Sequence, residues 1–202
     1  MAKPAIDVIA MEYPPFTTKD RDDFGISFFH LEQYAKENFR SDYKPLFLPP
    51  ARAQQILSSG QWCASFFPPE STDDNAVWVT LSDQNIKLGL YRRAEATPFR
   101  FEAIDDLRGR AAFLRSRSKS GIHKIVKDSN LEVYSVESVE QGIRMLLAGR
   151  VDYAFGDNTT LNTFDDKYDR NKLQFSETIL LEGPVGFYYN TRCAENLFKP
   201  AP

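Results

Sequence analysis

One local pattern occurs twice in this chain and constrains its fold class. Residues 55–66 read Gln-Ile-Leu-Ser-Ser-Gly-Gln-Trp-Cys-Ala-Ser-Phe, and residues 144–155 read Arg-Met-Leu-Leu-Ala-Gly-Arg-Val-Asp-Tyr-Ala-Phe. Each is the end of an amphipathic helix, a glycine stop at Gly60 or Gly149, and a short strand. A helix that leads directly into a strand is half of a parallel β-α-β crossover. The two copies predict two similar α/β lobes with a small-ligand cleft between them.

Hydrophobic periodicity places further elements around these two copies. The apolar run 5–11 predicts a buried strand, and the two prolines of the loop 12–16 end it. Further strands are predicted at 43–48, 62–67, 85–92, 111–114, 131–135, 151–155, 173–180 and 185–189. Helices are predicted at 26–39, from Pro49-Pro50 to Gly60, from Gly121 to about Lys127, from the capping box Ser138–Gln141 onward, and near 159–166.

These elements predict an α/β fold of two Rossmann-like lobes with mixed sheets, joined by two crossing strands. The crossing points are expected near 91–94 and 181–186. Lobe 1 would be discontinuous, with residues 1–91 and 186–202, and lobe 2 would span 92–185. A hinge motion about the two crossing strands would enclose the small ligand in the cleft.

Composition excludes several functional classes. The chain has 202 residues and a net charge of −3, whereas a nucleic-acid surface needs a basic stripe. No apolar run approaches the ~20 residues that span a bilayer. His30 and His123 lack metal-ligand spacing, and Cys63 and Cys193 form no Cys-x-x-Cys pair, so we expect no metal and no cofactor. The two cysteines are either a disulfide or two unrelated thiols, and the sequence leaves both open.

Five segments together resemble the periplasmic solute-binding proteins of the second structural type, in the amino-acid-receptor-like branch. The segments are Glu12-Tyr-Pro-Pro-Phe16, Pro50-Ala-Arg-Ala53 with Gly60, Ile104-Asp-Asp-Leu-Arg-Gly-Arg110, the loop 115–121, and Leu146-Leu-Ala-Gly-Arg-Val-Asp-Tyr-Ala154 followed by Asp157. The resemblance covers nearly the whole chain. It implies the type II periplasmic binding protein fold and a periplasmic location, with a signal peptide already removed from this chain.

The chain also departs from that family. An arginine shortly after the third strand clamps the ligand carboxylate in the family's amino-acid receptors, but residues 68–75 contain no Arg or Lys. Cys63 stands where the family commonly has Asp. The chain ends soon after Cys193, where the family usually adds one or two helices, so it is either a shortened relative or a trimmed one.

Four candidate ligand-binding residues lie in the first half of the chain. Tyr13 and Phe16 flank the stiff proline pair at a strand's carboxyl end, the edge that faces the ligand in open α/β sheets. Arg52, in a helix's first turn, offers a planar fork for a carboxylate or phosphate, and Phe67 could stack on a ligand. The alternatives are that Phe16 belongs to the core and that Arg52 is a surface residue. Near the third strand we expect one aromatic cluster, most of it in the core, formed by Phe66, Phe67 and Trp78.

The other four candidates lie in the second half. The loop with Arg115, Ser116 and Ser118 precedes a helix and is the best predicted anion site, because N–H groups, hydroxyls and a guanidinium converge there. Asp157 follows a strand and could hold an ammonium group. The alternatives are a solvated basic loop and, for Asp157, a helix cap.

We therefore expect a monomeric protein that binds a small polar or anionic solute. The resemblance implies either a membrane permease or a receptor as its partner. No Gly-x-Ser-x-Gly, P-loop or Gly-x-Gly-x-x-Gly motif is present, so we do not expect an enzyme. Two alternatives stay open: an enzyme on the same fold, resembling cyclohexadienyl dehydratase, and a degenerate sensor or interaction module without a small ligand.

Overall fold

The chain divides into two compact units. The computed structural model describes residues 5–70, 73–115, 121–163 and 168–200. Unit 1 comprises Met1–Gln84 and Pro184–Pro202, and unit 2 comprises Asn85–Gly183. The predicted lobe boundaries at 91/92 and 185/186 lie inside two strands that each belong to both units, and they stay a prediction.

Unit 1 is a mixed sheet with helices on its two faces. Its strands are β1 (Ile6–Ala10), β2 (Tyr43–Phe47), β3 (Ala64–Ser65) and the unit 1 parts of β4 (Ala76–Arg93) and β9 (Leu181–Asn190); its helices are α1 (Ile26–Asn38), α2 (Pro50–Ser58) and α5 (Ala194–Leu197). The strand order is β2-β1-β3-β9-β4. β1 is parallel to β2 and β3, whereas β9 is antiparallel to β3.

Unit 2 repeats this arrangement. Its strands are β5 (Gly109–Leu114), β6 (Leu131–Val136), β7 (Tyr153–Asp157), β8 (Leu173–Phe175) and the remaining parts of β4 and β9; its helices are α3 (Gly121–Lys127) and α4 (Val139–Leu147). β5 lies between β6 and β7 and is parallel to both. β4 is antiparallel to β7 and to β8. The predicted mixed α/β fold class is confirmed.

The duplicated helix-glycine-strand pattern is confirmed in both units. α2 ends at Ser58 and α4 at Leu147, and the glycines that follow have left-handed backbones, with φ 72° at Gly60 and 69° at Gly149. A glycine occupies this conformation without the steric cost that a Cβ imposes. In each unit, the chain then enters a strand that pairs in parallel with an earlier strand of the same unit.

The core of unit 1 follows from the alternation of side chains along β1. Val8 packs with Phe28 and Leu31 of α1, while Ile9 packs with Leu57 of α2 on the opposite face. The helix predicted at 26–39 is therefore observed, and it buries one apolar face against the sheet. In unit 2, α4 is capped by Ser138, whose hydroxyl accepts the Gln141 N–H at 3.2 Å, as the capping box predicts.

Cys63 and Cys193 form a disulfide with a Cα–Cα distance of 5.3 Å. This resolves the alternative that the sequence leaves open. Both cysteines belong to unit 1, and the bond ties the residue before β3 to the turn that follows β9. Among the described residues, no helix has both the length and the apolar character to cross a bilayer.

Three predicted elements differ from the structure. β4 begins at Ala76, nine residues before the predicted start, and β8 ends at Phe175 rather than near 180. The helix predicted near 159–166 is a short 3-10 turn at Thr160–Thr163, and residues 164–167 lie outside the described part of the chain.

Candidate functional site

Four predicted site residues of unit 1 come after the carboxyl ends of its parallel strands. Because β1 is parallel to both β2 and β3, these three strands end at one edge of the sheet. Tyr13 and Phe16 follow β1, Arg52 lies in the first turn of α2 after β2, and Phe67 follows β3. In open α/β sheets, this edge is the one that binds ligands.

The loop after β1 is held by its own hydrogen bonds. The Tyr13 N–H donates to the Thr17 carbonyl at 2.7 Å, and the Thr17 hydroxyl donates to the Met11 carbonyl at 2.7 Å. The ring of Phe16 lies 6.1 Å from that of Tyr13 and is only 5% exposed, whereas Tyr13 is partly exposed. The burial of Phe16 favours its core interpretation, and Tyr13 is the more accessible aromatic residue of this loop.

Arg52 is an exposed guanidinium on α2. Its Nη1 donates to Gln55 Oε1 at 2.8 Å, within the same helix. Within the described ranges, no ion pair joins Arg52 to a carboxylate. Its charge therefore remains available for an anion.

Phe67 lies in the core rather than on the surface. Its side chain is 4% exposed and packs with Ile9, Leu57 and Trp62. Its N–H donates to Ser65 Oγ at 3.0 Å, and the same hydroxyl donates to the Phe67 carbonyl at 2.8 Å. These contacts favour the core interpretation, and a stacking role for Phe67 stays a prediction.

The aromatic residues near the third strand do not form one cluster. Phe66 packs edge-on against Phe28, with ring centroids 4.9 Å apart, on the α1 side of the sheet. Trp78 on β4 is instead 40% exposed and contacts Tyr188 of β9 at 4.8 Å. Most of these aromatic residues are expected in the core from the sequence, because large apolar side chains are usually buried. Nothing in the sequence alone signals the exposure of Trp78.

Unit 2 shows the same edge arrangement. β5, β6 and β7 are parallel, so their carboxyl ends share one edge. Arg115 directly follows β5, and Asp157 is the last residue of β7. Ser116 and Ser118, which are predicted to join Arg115 in an anion site, lie outside the described residues.

Arg115 is already in a solvent-exposed ion pair. Its Nε lies 2.8 Å from Glu137 Oε1, and the two side chains are 54% and 51% exposed. Its backbone N–H donates to the Val136 carbonyl at 2.8 Å, which fixes the start of the side chain beside β6. An exposed pair contributes only about 0–1 kcal/mol, so an anionic ligand would displace Glu137 at little cost.

Asp157 is buried and hydrogen-bonded to the turn that follows it. Its Oδ1 accepts the Thr159 N–H at 2.7 Å and the Thr159 hydroxyl at 2.5 Å. Its Oδ2 accepts the Thr160 hydroxyl at 2.8 Å, and the residue has no exposed surface. The capping alternative is therefore observed, whereas binding of an ammonium group stays a prediction.

The loops at the carboxyl ends of the parallel strands of unit 1 carry more acids than bases. The loops after β1, β2 and β3, together with the first turn of α2, hold seven described carboxylates against three basic side chains. The carboxylates are Glu12, Asp20, Asp22, Asp23, Glu70, Asp73 and Asp74, and the basic residues are Lys19, Arg21 and Arg52. This excess attracts positively charged groups to the edge. No group of three or more His, Cys, Asp or Glu side chains in the described ranges is arranged to hold a metal ion.

Two open grooves of unit 1 lie elsewhere. One, of about 790 Å³, runs along the outer side of α1 past Phe29 and Tyr43. The other, of about 1050 Å³, lies beside the disulfide and is lined by Ile6 and Trp62, near the amino ends of β1 and β3. Neither groove is lined by a predicted site residue. The strand ends, rather than these grooves, carry the candidate chemistry.

Comparison with known proteins identifies the fold. No protein-family model and no curated protein sequence matches the chain. Solved structures match it over 95% of its length. The arginine-binding protein ArgBP from T. maritima, in its holo form, has a TM-score of 0.69, with 15% identity and 84% of that chain covered. The GluR0 ligand-binding core from Nostoc punctiforme, in complex with L-glutamate, has a TM-score of 0.68, with 15% identity and 89% of that chain covered.

These matches decide the architecture. The chain has the type II periplasmic binding protein fold. The VFT2 domain of BvgS from Bordetella pertussis shares the fold at a TM-score of 0.62, with 15% identity, 95% of this chain and 82% of that chain covered. The predicted type II fold is therefore confirmed. At 15% identity, these matches show the fold of the chain but do not identify its ligand.

Proposed function

We propose that this chain binds a small polar solute. One observation carries the proposal: in each unit, the predicted residues stand at the carboxyl ends of parallel strands. In open α/β sheets, ligands bind at this edge. Tyr13, Arg52 and Arg115 are its accessible members, and the buried Phe16, Phe67 and Asp157 support the loops around them.

The solute carries an anionic group. Arg52 and Arg115 are the exposed guanidiniums among the predicted residues, and residues 68–75 supply no other cation. With Ser116 and Ser118, Arg115 takes the carboxylate-binding role that an arginine after the third strand plays in the family. The neighbours that bind arginine and glutamate support an amino-acid-like solute.

The protein acts outside the cytoplasm, in the periplasm, as the binding component of a transporter or a sensor. The disulfide between Cys63 and Cys193 supports this setting, because disulfides persist in oxidising compartments. A membrane permease or a receptor is its partner, and the binding unit is a monomer.

The first experiment is a thermal-shift screen of amino acids, polyamines, short peptides and organic anions on the full chain. A compound that binds only the folded state raises the melting temperature in proportion to the logarithm of its excess over Kd. The variant Arg115→Gln removes the guanidinium and should abolish the shift that an anionic compound produces.

The variant Arg100→Gln is the matched control. Arg100 also forms an exposed ion pair in unit 2, with Glu177, but does not lie at the carboxyl end of a parallel strand. It should keep the full ligand response. The proposal is wrong if no compound in the panel raises the melting temperature, or if the two variants respond to every compound alike.

A further inference from the structure

Trp78 is both exposed and rigidly held. Its indole Nε1 donates to Thr80 Oγ1 at 3.1 Å, and Tyr188 contacts its ring edge-on with centroids 4.8 Å apart. A Cβ atom at position 186 would overlap the Trp78 ring and the Val79 carbonyl, so the ring lies directly on the backbone of Gly186. A hydrogen bond, a ring contact and the backbone of Gly186 therefore hold an indole that is 40% exposed.

The Trp78–Tyr188 pair lies beside the ligand-binding edge of unit 1. Tyr188 is paired in register with Ser65, the last residue of β3. Its ring also packs against the cluster that contains Ile9 and Phe67, together with Met11, the first residue after β1. The pair thus adjoins the ends of β1 and β3, two of the three strands that predicted site residues follow.

A fixed aromatic surface at this position is suited to stacking. A ligand that stacks on a ring already held in place does not have to order that ring, so little conformational entropy is lost on binding. Single exposed apolar side chains are common on proteins and need no ligand to explain them. Trp78 differs from these in its three restraints and in its place beside the strand ends.

The charge of the neighbouring loops determines which kind of planar ligand group would stack on Trp78. The seven carboxylates of these loops outnumber Lys19, Arg21 and Arg52, so away from Arg52 this edge favours a cationic group over an anionic one. Cations bind the faces of aromatic rings, and Trp is the strongest partner among the aromatic residues.

We infer that Trp78 is a solute-contact residue and that it selects a solute with a flat cationic group, such as a guanidinium. The inference rests on the proposed function and specifies the end of the solute opposite its anionic group. It adds a contact residue that is not among the site residues predicted from the sequence.

The test compares L-arginine, L-lysine and L-citrulline by titration calorimetry on the full chain. The three share their α-carboxylate and α-ammonium groups, while the side chain ends in a flat cation, a tetrahedral cation or a flat neutral group. L-Arginine should bind most tightly. Trp78→Leu should weaken L-arginine by about 3- to 30-fold, the range of a cation–π contact, and should bring it close to L-lysine. Trp78→Phe should retain part of the preference.

Val77→Ala is the matched control, because Val77 is the neighbouring exposed residue of β4 and its side chain points to the opposite face of the strand. It should leave all three affinities unchanged. A second measurement uses the two tryptophans of the chain. Acrylamide quenching of the fluorescence should fall when L-arginine binds, and this protection should be absent in Trp78→Phe, where the buried Trp62 is the remaining fluorophore.

The outcomes separate the two proposals. If a compound from the thermal-shift panel binds but neither shields Trp78 nor loses affinity in Trp78→Leu, the inference is wrong and the proposed function stands. The inference is also wrong if L-lysine or L-citrulline binds as tightly as L-arginine. If no compound binds at all, the proposed function is wrong and the inference fails with it.

Discussion

At the scale of single residues, Asp157 shows how one carboxylate organises the end of a strand. Its two oxygens accept three hydrogen bonds from Thr159 and Thr160, and its own carbonyl accepts the hydroxyl of Tyr91 at 2.7 Å. Burial raises the pKa of the Tyr91 hydroxyl, which keeps it a donor. Asp157 therefore joins β7 to the following turn and to β4, whether or not it also contacts a solute.

Asp157→Asn tests this structural role. The amide retains one acceptor oxygen, but its NH₂ group faces a hydroxyl that donates to the carboxylate in the wild-type protein. Hydrogen bonds are therefore lost in a buried site. We expect the free energy of unfolding to fall by about 1–3 kcal/mol without any ligand present, as measured by urea denaturation. Asp128→Asn, on the exposed surface of unit 2, is the control. An unchanged unfolding midpoint for Asp157→Asn would leave only the ligand-binding role.

The positions of the candidate residues were predictable from the sequence, but their exposure was not. The loops after strands identify Tyr13, Arg52 and Arg115 because strand ends and prolines are visible in the sequence. Phe67 and Trp78 look alike in the same analysis, yet Phe67 is 4% exposed and Trp78 is 40% exposed. Which ring is buried depends on partners that are distant in sequence, such as Gly186 and Tyr188.

At the scale of elements, Asp152 links the start of β5 to the end of β4. Its Oδ2 accepts the backbone N–H of Arg110 at 2.8 Å, and Arg110 Nε lies 3.4 Å from the same oxygen. Its Oδ1 lies 3.7 Å from a guanidinium nitrogen of Arg93, at the end of β4. The hydrogen bond from the Arg110 backbone, followed by the arginine charges, lowers the pKa of the Asp152 carboxyl.

This lowered pKa predicts a specific dependence of stability on pH. The unfolded carboxyl protonates at about pH 3.9, before the folded one, so the stabilisation is complete above that pH. It is lost as the pH falls through the folded pKa. Asp152→Asn should cost about 1 kcal/mol at pH 7 and lose less stability than the wild-type protein between pH 5 and pH 2.5. Urea denaturation across this range measures it, and parallel curves for the two proteins would contradict the prediction.

Elements with one buried face were predictable, whereas the two strands that belong to both units were predicted over only part of their length. α1 and α4 display apolar residues at helical spacing, and the structure buries Phe28, Leu31 and Ile143 as expected. The first part of β4 has no such pattern, because most of its residues are partly or fully exposed. Pro184 interrupts the sequence signal of β9, which nevertheless begins at Leu181. These strands are stabilised by pairing with their neighbours rather than by one apolar face.

At the scale of the whole molecule, the chain forms the first part of unit 1, then all of unit 2, and then the rest of unit 1. The duplicated helix-glycine-strand pattern predicts the two units because each copy is local in sequence. The return of the chain is not local, so the sequence alone leaves the pairing of Cys63 with Cys193 open. In the structure, this disulfide closes a loop of 130 residues that contains all of unit 2.

This long loop makes the disulfide an important source of stability. In the chain-entropy model, a cross-link that closes a loop of this length removes about 4–5 kcal/mol of unfolded-state entropy. Reduction should therefore lower the melting temperature by about 10 °C or more. The double variant Cys63→Ala with Cys193→Ala should melt near the reduced wild-type protein and should not respond to dithiothreitol. Calorimetry with and without reductant measures both. If reductant lowers the wild-type melting temperature no more than that of the double variant, the cross-link does not stabilise the return of the chain to unit 1.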